Sequence, residues 1–224
     1  LVILGFIIFG GVKRIANFTQ VVVPFMALSY VSMAFIIIAL NITRLPEIIN
    51  LIISDAFSPM AGMGAAIGWG VKRGIYSNEA GQGTGPHAAA AAEVEHPAQQ
   101  GIVQAFSVYI DTLIVCSATA FMILMTRSYN VCSDAACKTN LIIQNISLDK
   151  DPNSPDFTQY ALESVIPGVG APFVAIALFF FAFTTILAYY YIAETNIAYL
   201  RRSLKVPGMM FILKAVMLIS VFYG

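Results

Sequence analysis

Long apolar runs separated by short polar stretches set the pattern of this chain. A helix needs about 20 mostly apolar residues to cross the hydrocarbon core of a bilayer. By that measure residues 21–40, 48–69, 101–126 and 169–192 each predict a membrane span, the last with a more polar extension toward Leu200. Residues 1–9 read as the tail of one further span and residues 208–224 as the start of another. The run over 48–69 is irregular, because Asp55, Pro59, Gly62, Gly64 and Gly68 fall inside it. Proline costs a helix interior about 3 kcal/mol and glycine about 1 kcal/mol. In lipid the freed backbone groups must find partners. A span broken in this way, with an acid close by, points to a transporter binding site where half-helix ends hold charged groups and ions. The competing reading is a kinked structural helix whose small residues permit close packing.

Composition agrees with the pattern. The chain is 58% hydrophobic and 11% charged, against about 25% charged in an ordinary soluble domain. This predicts a polytopic membrane protein forming one transmembrane domain over 1–224. The formal net charge of zero offers nothing to nucleic acid. Because Leu1 and Gly224 both fall within apolar runs, the chain is expected to be an internal part of a longer transporter. Paired basic residues then orient the spans. Lys13-Arg14, Lys72-Arg73 and Arg201-Arg202 with Lys205 stand near span ends, whereas the alternate connections are poorer in them. The positive-inside rule places loops near 10–20, 70–100 and 201–207 in the cytoplasm. Residues 127–167, with five acids, are then external, and residues 157–166 predict a short surface helix. Cys132 and Cys137 are candidates for a local disulfide if that loop faces an oxidising side. Cys116, in an apolar run, reads as a small core residue.

Few polar groups fall inside the spans, and each is informative. Asp111 lies about 15 Å into its span at 1.5 Å per residue. Its candidate roles are cation attraction, a hydrogen-bonded clamp between helices, or the lining of a water-filled path. Thr184-Thr185 stands within Phe, Ala, Ile and Leu. Each hydroxyl can bond its own helix backbone. Alternatively, the two hydroxyls and the Phe181 carbonyl offer three oxygens to a hard cation, which prefers oxygen ligands. The 179–181 Phe run and the 189–191 Tyr run read as lipid-facing or interfacial aromatics.

The polar stretch over 70–90 cannot face lipid and must lie at a membrane surface or line a polar cavity. Gly81, Gly83 and Gly85 resemble a phosphate loop only faintly, for want of a Lys-Ser/Thr ending and a preceding strand. His87, Glu93, Glu95 and His96 match no metal-ligand spacing. An Ala-rich helix is expected over 86–95, ended by Pro97. No catalytic constellation supports an enzyme.

Ordered motifs along nearly the whole chain resemble the alanine/glycine:cation symporter family. They are Gly10-Gly11-Val12-Lys13-Arg14, Val23-Pro24-Phe25-Met26-Ala27, Lys72-Arg73-Gly74, Ser77-Asn78-Glu79-Ala80-Gly81 with Gly83, His96-Pro97, Asp111-Thr112 with Cys116 and Thr119, and Phe181-Ala182-Phe183-Thr184-Thr185. The resemblance implies an all-α LeuT-type inverted-repeat fold, of which the spans here would be the end of the fourth helix to the start of the ninth. It implies a plasma-membrane importer of alanine or glycine coupled to sodium or protons, without a cofactor. The broken span would supply substrate contacts from Phe57, Ser58, Met60, Gly62, Met63 and Gly64. Thr184 and Thr185, with Phe181, would hold sodium, and Asp111 would stand near a second cation position. Ser77, Asn78, Glu79, Gly81, Gly83 and Thr84 would form an inner gating loop. The rival expectations are a carrier of the same fold with another substrate or proton coupling, and a non-transporting membrane amino-acid sensor.

Overall fold

The computed structural model describes residues 2–58, 67–90, 92–132, 141–146, 155–204 and 208–223. Helices run over Val2–Phe9 (α1), Val12–Leu40 (α2), Leu45–Ala56 (α3), Ile67–Ser77 (α4), Thr84–Ala89 (α5), Pro97–Tyr109 (α6), Ser117–Met125 (α7), Asp156–Val165 (α8), Gly170–Leu204 (α9) and Met209–Tyr223 (α10). A π-helical stretch, Ile110–Cys116, joins α6 to α7. Among the described residues, three continuous helical segments are long and apolar enough to cross a membrane: Lys13–Leu40, Pro97–Met125 and Gly170–Arg201. Helix α2 keeps its course through Pro24, a residue that membrane helices tolerate when neighbours satisfy the freed backbone.

Two local features depart from the pattern in the sequence. Asn130–Cys132 (β1) and Leu141–Gln144 (β2) pair as an antiparallel ladder, so the chain is mostly rather than wholly helical. The β-branched residues Val131, Ile142 and Ile143 favour that pairing. Asn130 secures it, because its Oδ1 accepts from the backbone N–H of Asn145 and Ile146 at 3.0 and 3.1 Å. The second departure is the Ala-rich helix, which ends at Ala89, and Pro97 begins the next helix instead of ending this one. Proline is well suited to the first helical position, where its absent N–H is not required. The His96 Nδ1 accepts from the Ala98 N–H at 3.1 Å. Cys137 and the expected disulfide lie outside the described residues.

The chain divides into two compact units, with divisions inside α2, α6 and α9. The first unit comprises Leu1–Ala27, Glu79–Ser107 and Leu178–Gly224. Its core is Leu4, Ile7, Ile8, Ile15, Phe183, Leu187 and Tyr190, covered by Phe18, Leu213, Met217 and Val221 among others. Phe183 stacks on Phe179 and meets the edge of Phe18 at 5.6 Å between centroids. Arg14 donates to the Phe6 carbonyl at 2.9 Å and covers the Phe6 ring, which satisfies a C-terminal carbonyl of α1.

Tyr190 corrects the expectation that all three tyrosines face lipid, since it is fully buried in this core. Its hydroxyl and the Glu194 Oε2 are buried, and among the described residues neither has a hydrogen-bond partner. An unsatisfied buried polar atom costs about 1–3 kcal/mol, and removing it at constant shape is neutral or favourable. Tyr190→Phe is therefore expected to leave the melting temperature of the detergent-purified protein unchanged or raised. A clear fall would show that the hydroxyl bonds Glu194 one turn along.

The second unit comprises Leu28–Asn78 and Val108–Ala177. Ala34, Ile37, Met122, Met125, Ala161 and Leu162 are among its buried residues. The Tyr30 hydroxyl bonds Thr119 Oγ1 at 2.8 Å, and its ring stacks on Phe173. Arg44 donates to the Met125 carbonyl at 3.0 Å at the end of α7. The Glu163 carboxylate accepts from the N–H of Gly168 and Gly170, a favourable charge at the start of α9.

Candidate functional site

Within the first unit, one face of α9 lines a cavity of about 580 Å³. The helical repeat creates two faces on this element. Phe183, Leu187 and Tyr190 recur at spacings of four and three on the core side. Thr184, Thr185, Ala188, Tyr191 and Ile192 lie on the cavity side. Helix α2 contributes Ile15, Ala16, Thr19 and Val23, and the polar stretch after residue 78 contributes Glu79, Thr84 and Ala92. The walls are thus mainly apolar, with four threonine hydroxyls and one carboxylate. That volume and balance fit a site for a small solute.

The hydroxyl geometry limits what the threonines can do. Thr184 Oγ1 donates toward the carbonyls of Phe180 and Phe181 at 2.9 and 3.1 Å. Thr185 Oγ1 donates to the Phe181 carbonyl at 2.8 Å. The Phe181 oxygen is therefore held by both side chains. With their protons turned to the backbone, the two threonine oxygens keep lone pairs as acceptors. Thr19 behaves in the same way, donating to Ile15 and Ala16 carbonyls. Such a set suits a hard cation or an ammonium group rather than a soft metal.

Glu79 and Thr84 enter the cavity from a tight turn. Gly81 and Gly83 have φ of +75° and +79°, values that glycine alone adopts readily. Glu79 also has a positive φ, +52°, which costs a residue with a side chain about 1–3 kcal/mol and persists only when its surroundings enforce it. Thr84 Oγ1 donates to Glu79 Oε2 at 2.5 Å. Nearby in sequence, the His87 Nδ1 pairs with the Asn196 amide at 2.8 Å. Among the described residues no cluster of His, Cys, Asp and Glu is placed to hold a metal ion.

Ser77 and Asn78, expected in the same loop, belong to the second unit. There they meet the π-helical stretch. Ser77 Oγ donates to Asp111 Oδ2 at 2.5 Å, and Asn78 Nδ2 donates to Thr112 Oγ1 at 2.9 Å and to the Gly74 carbonyl. Cys116 joins this cluster, with its Sγ 3.7 Å from Ser77 Oγ and 4.0 Å from Asp111 Oδ2. It is exposed rather than a core residue, because the wider π turn rotates it toward the hydroxyl and the carboxylate. π-Helical turns occur frequently at functional positions.

The substrate-contact candidates are only partly on view. Phe57 caps α3 and is exposed, and Ser58 is half-buried with its N–H on the Asp55 carbonyl at 3.1 Å. Met60, Gly62, Met63 and Gly64 lie outside the described residues. The structure therefore brings Thr184, Thr185, Glu79 and Thr84 together, and separately Asp111, Ser77 and Asn78. Thr19 and Tyr191 escaped the reading of the sequence. Thr19 was visible as a lone hydroxyl beside an apolar run, whereas Tyr191 had no distinguishing signal among three tyrosines.

The model of the sodium:alanine symporter family matches residues 1–224. The chain is 62% identical, over 99% of its own length and 46% of the relative's, to a putative sodium/proton-dependent alanine carrier protein, YrbD, of Bacillus subtilis (strain 168). It is 54% identical to a sodium/proton-dependent alanine carrier protein of Bacillus sp. (strain PS3), covering 99% of this chain and 50% of the relative. It is 41% identical to a probable sodium/glutamine symporter, GlnT, of Bacillus subtilis (strain 168), covering 91% of this chain and 40% of the relative. The chain spans about half the length of the first two of these curated relatives.

Proposed function

The chain belongs to the sodium:alanine symporter family, and on that footing we propose that it serves the sodium-coupled import of a small neutral amino acid, alanine or glycine, by alternating access. It is a multi-pass plasma-membrane protein from a family of transporters, not enzymes. The observation that carries the proposal is the pair of hydroxyls, Thr184 and Thr185, opening onto the cavity of the first unit. Sodium beside them would order the surrounding helices before the amino acid binds. The broken span, with Phe57, Ser58, Met60, Gly62, Met63 and Gly64, would supply the substrate contacts. An amino-acid carboxylate is held well by helix N-terminal amides. The Ser77–Asp111 and Asn78–Thr112 bonds would act as a fastening between α4 and the π turn that opens and closes during the cycle. The likeness to two alanine carriers supports alanine as the solute. A LeuT-type arrangement of inverted repeats with a central site is the architecture in which these parts would work.

A second substrate reading has one specific observation in its favour, the identity to a probable glutamine symporter. Uptake of labelled alanine into proteoliposomes tests the proposal. An inward sodium gradient is expected to drive accumulation, with glycine competing and glutamine competing weakly. Uptake indifferent to sodium but driven by a proton gradient would replace sodium with protons as the coupling ion. Binding without accumulation in sealed vesicles would support a sensor instead of a carrier.

A further inference from the structure

We propose that Glu79 supplies the negative charge that holds the coupling cation beside Thr184 and Thr185, an assignment that rests on the sodium-symport reading above. Threonine hydroxyls are neutral ligands, and a cation moved from water into a mainly apolar cavity loses its hydration. A carboxylate on the same wall offsets that loss as neutral oxygens cannot. Among the described residues, Glu79 is the one acid that lines the cavity.

Its other interactions leave it suited to this task. Among the described residues it forms no ion pair, and its Oε1 takes no hydrogen bond, while Oε2 is held by Thr84. Three basic groups of the first unit are engaged away from it. Arg14 is engaged by the Phe6 carbonyl and ring, and Lys214 stands over the Phe9 ring at 5.1 Å. His87 is bonded to Asn196. The strained backbone at Glu79 and the bond from Thr84 hold the half-buried carboxylate at the cavity wall. Glu79 thus belongs to the ion site, and the fastening of the gate falls to Ser77 and Asn78.

The test uses the full reading frame, purified and reconstituted. Two quantities are read: binding of radioactive sodium in detergent, and the sodium dependence of alanine uptake. Glu79→Gln is expected to raise the half-saturating sodium concentration about tenfold or more, since ligand charge tunes cation affinity over wide ranges. Alanine half-saturation at saturating sodium is expected to stay near the wild-type value. Glu79→Asp, which keeps the charge on a shorter stem, is expected to fall between the two. Thr84→Val, which keeps the charge and removes only the orienting bond, is expected to shift sodium affinity much less than Glu79→Gln. If Glu79→Gln lowers the maximal rate but leaves sodium affinity unchanged, Glu79 is a gating residue and the proposal is overturned, although the sodium reading survives. If Thr84→Val matches Glu79→Gln in sodium affinity, Glu79 acts through loop structure rather than charge, and the proposal is again overturned. Should Glu79→Gln fail to fold, Glu79→Met, which removes the charge at similar length, decides, because an unchanged sodium affinity there rejects the assignment. If the wild-type protein neither binds sodium nor responds to it, the symport reading itself fails and takes this assignment with it.

Discussion

Thr185→Ala is expected to raise the sodium concentration for half-maximal alanine uptake about tenfold, the equivalent of one lost polar interaction of about 1.4 kcal/mol. The hydroxyl lies on the cavity side of α9, and its proton is directed to Phe181. Removing it deletes one oxygen from the proposed cation site without disturbing the core face of the helix. The fold should be unaffected, since the side chain is exposed and its backbone bond duplicates one made by Thr184. Thr185→Ser keeps the oxygen and is expected to retain most of the sodium affinity. Sodium titrations of uptake for the three proteins check both expectations. An unchanged titration for Thr185→Ala would return this threonine to ordinary helix packing.

Leu187→Ala, two residues further along the same helix, should do the opposite. Leu187 is fully buried between Leu4, Ile7, Ile8, Phe183 and Tyr190. Truncating a buried leucine costs 2–5 kcal/mol in soluble cores, part of it from the cavity left behind. Between helices in lipid the transfer part is largely absent, because the surrounding tails are as apolar as leucine. The lost packing remains, so a destabilisation of about 2 kcal/mol is expected. It should appear as a lower melting temperature in detergent, with sodium affinity unchanged in the fraction that stays folded. A shift in sodium affinity without loss of stability would mean that the core face and the cavity face of α9 are not independent.

These paired expectations turn on a rotation that hydropathy does not record. Residues 183–192 are nearly all apolar or aromatic, so the periodicity there is too weak to assign faces. Each residue turns the helix by about 100°. Tyr189 therefore stays exposed, Tyr190 enters the core and Tyr191 reaches the cavity. The packing of α1, α2 and α10 decides which of the three is buried. Cys116 offers the same lesson. Its apolar surroundings in sequence suggested a core residue, yet the π turn sets it beside Ser77 and Asp111.

Several properties were legible without coordinates because they depend on composition or local chemistry. Long apolar runs must form helices in lipid, as no other open structure satisfies the backbone there. The Gly- and Pro-rich stretch after Asp55 predicts an irregular span through backbone propensity, and its residues 59–66 lie outside the described ones. Thr184-Thr185 and Asp111 stood out because polar groups inside apolar runs are rare. The ordered motifs were enough to indicate the family, which the match over the full chain established. What the sequence could not determine was which distant residues share a site. In the sequence Glu79 and Thr84 belong to a gating loop and Thr184 and Thr185 to a candidate cation site, with nothing to connect them. Only the tertiary structure set all four around one cavity, because side-chain proximity between distant segments follows from helix packing and leaves no local pattern in the chain.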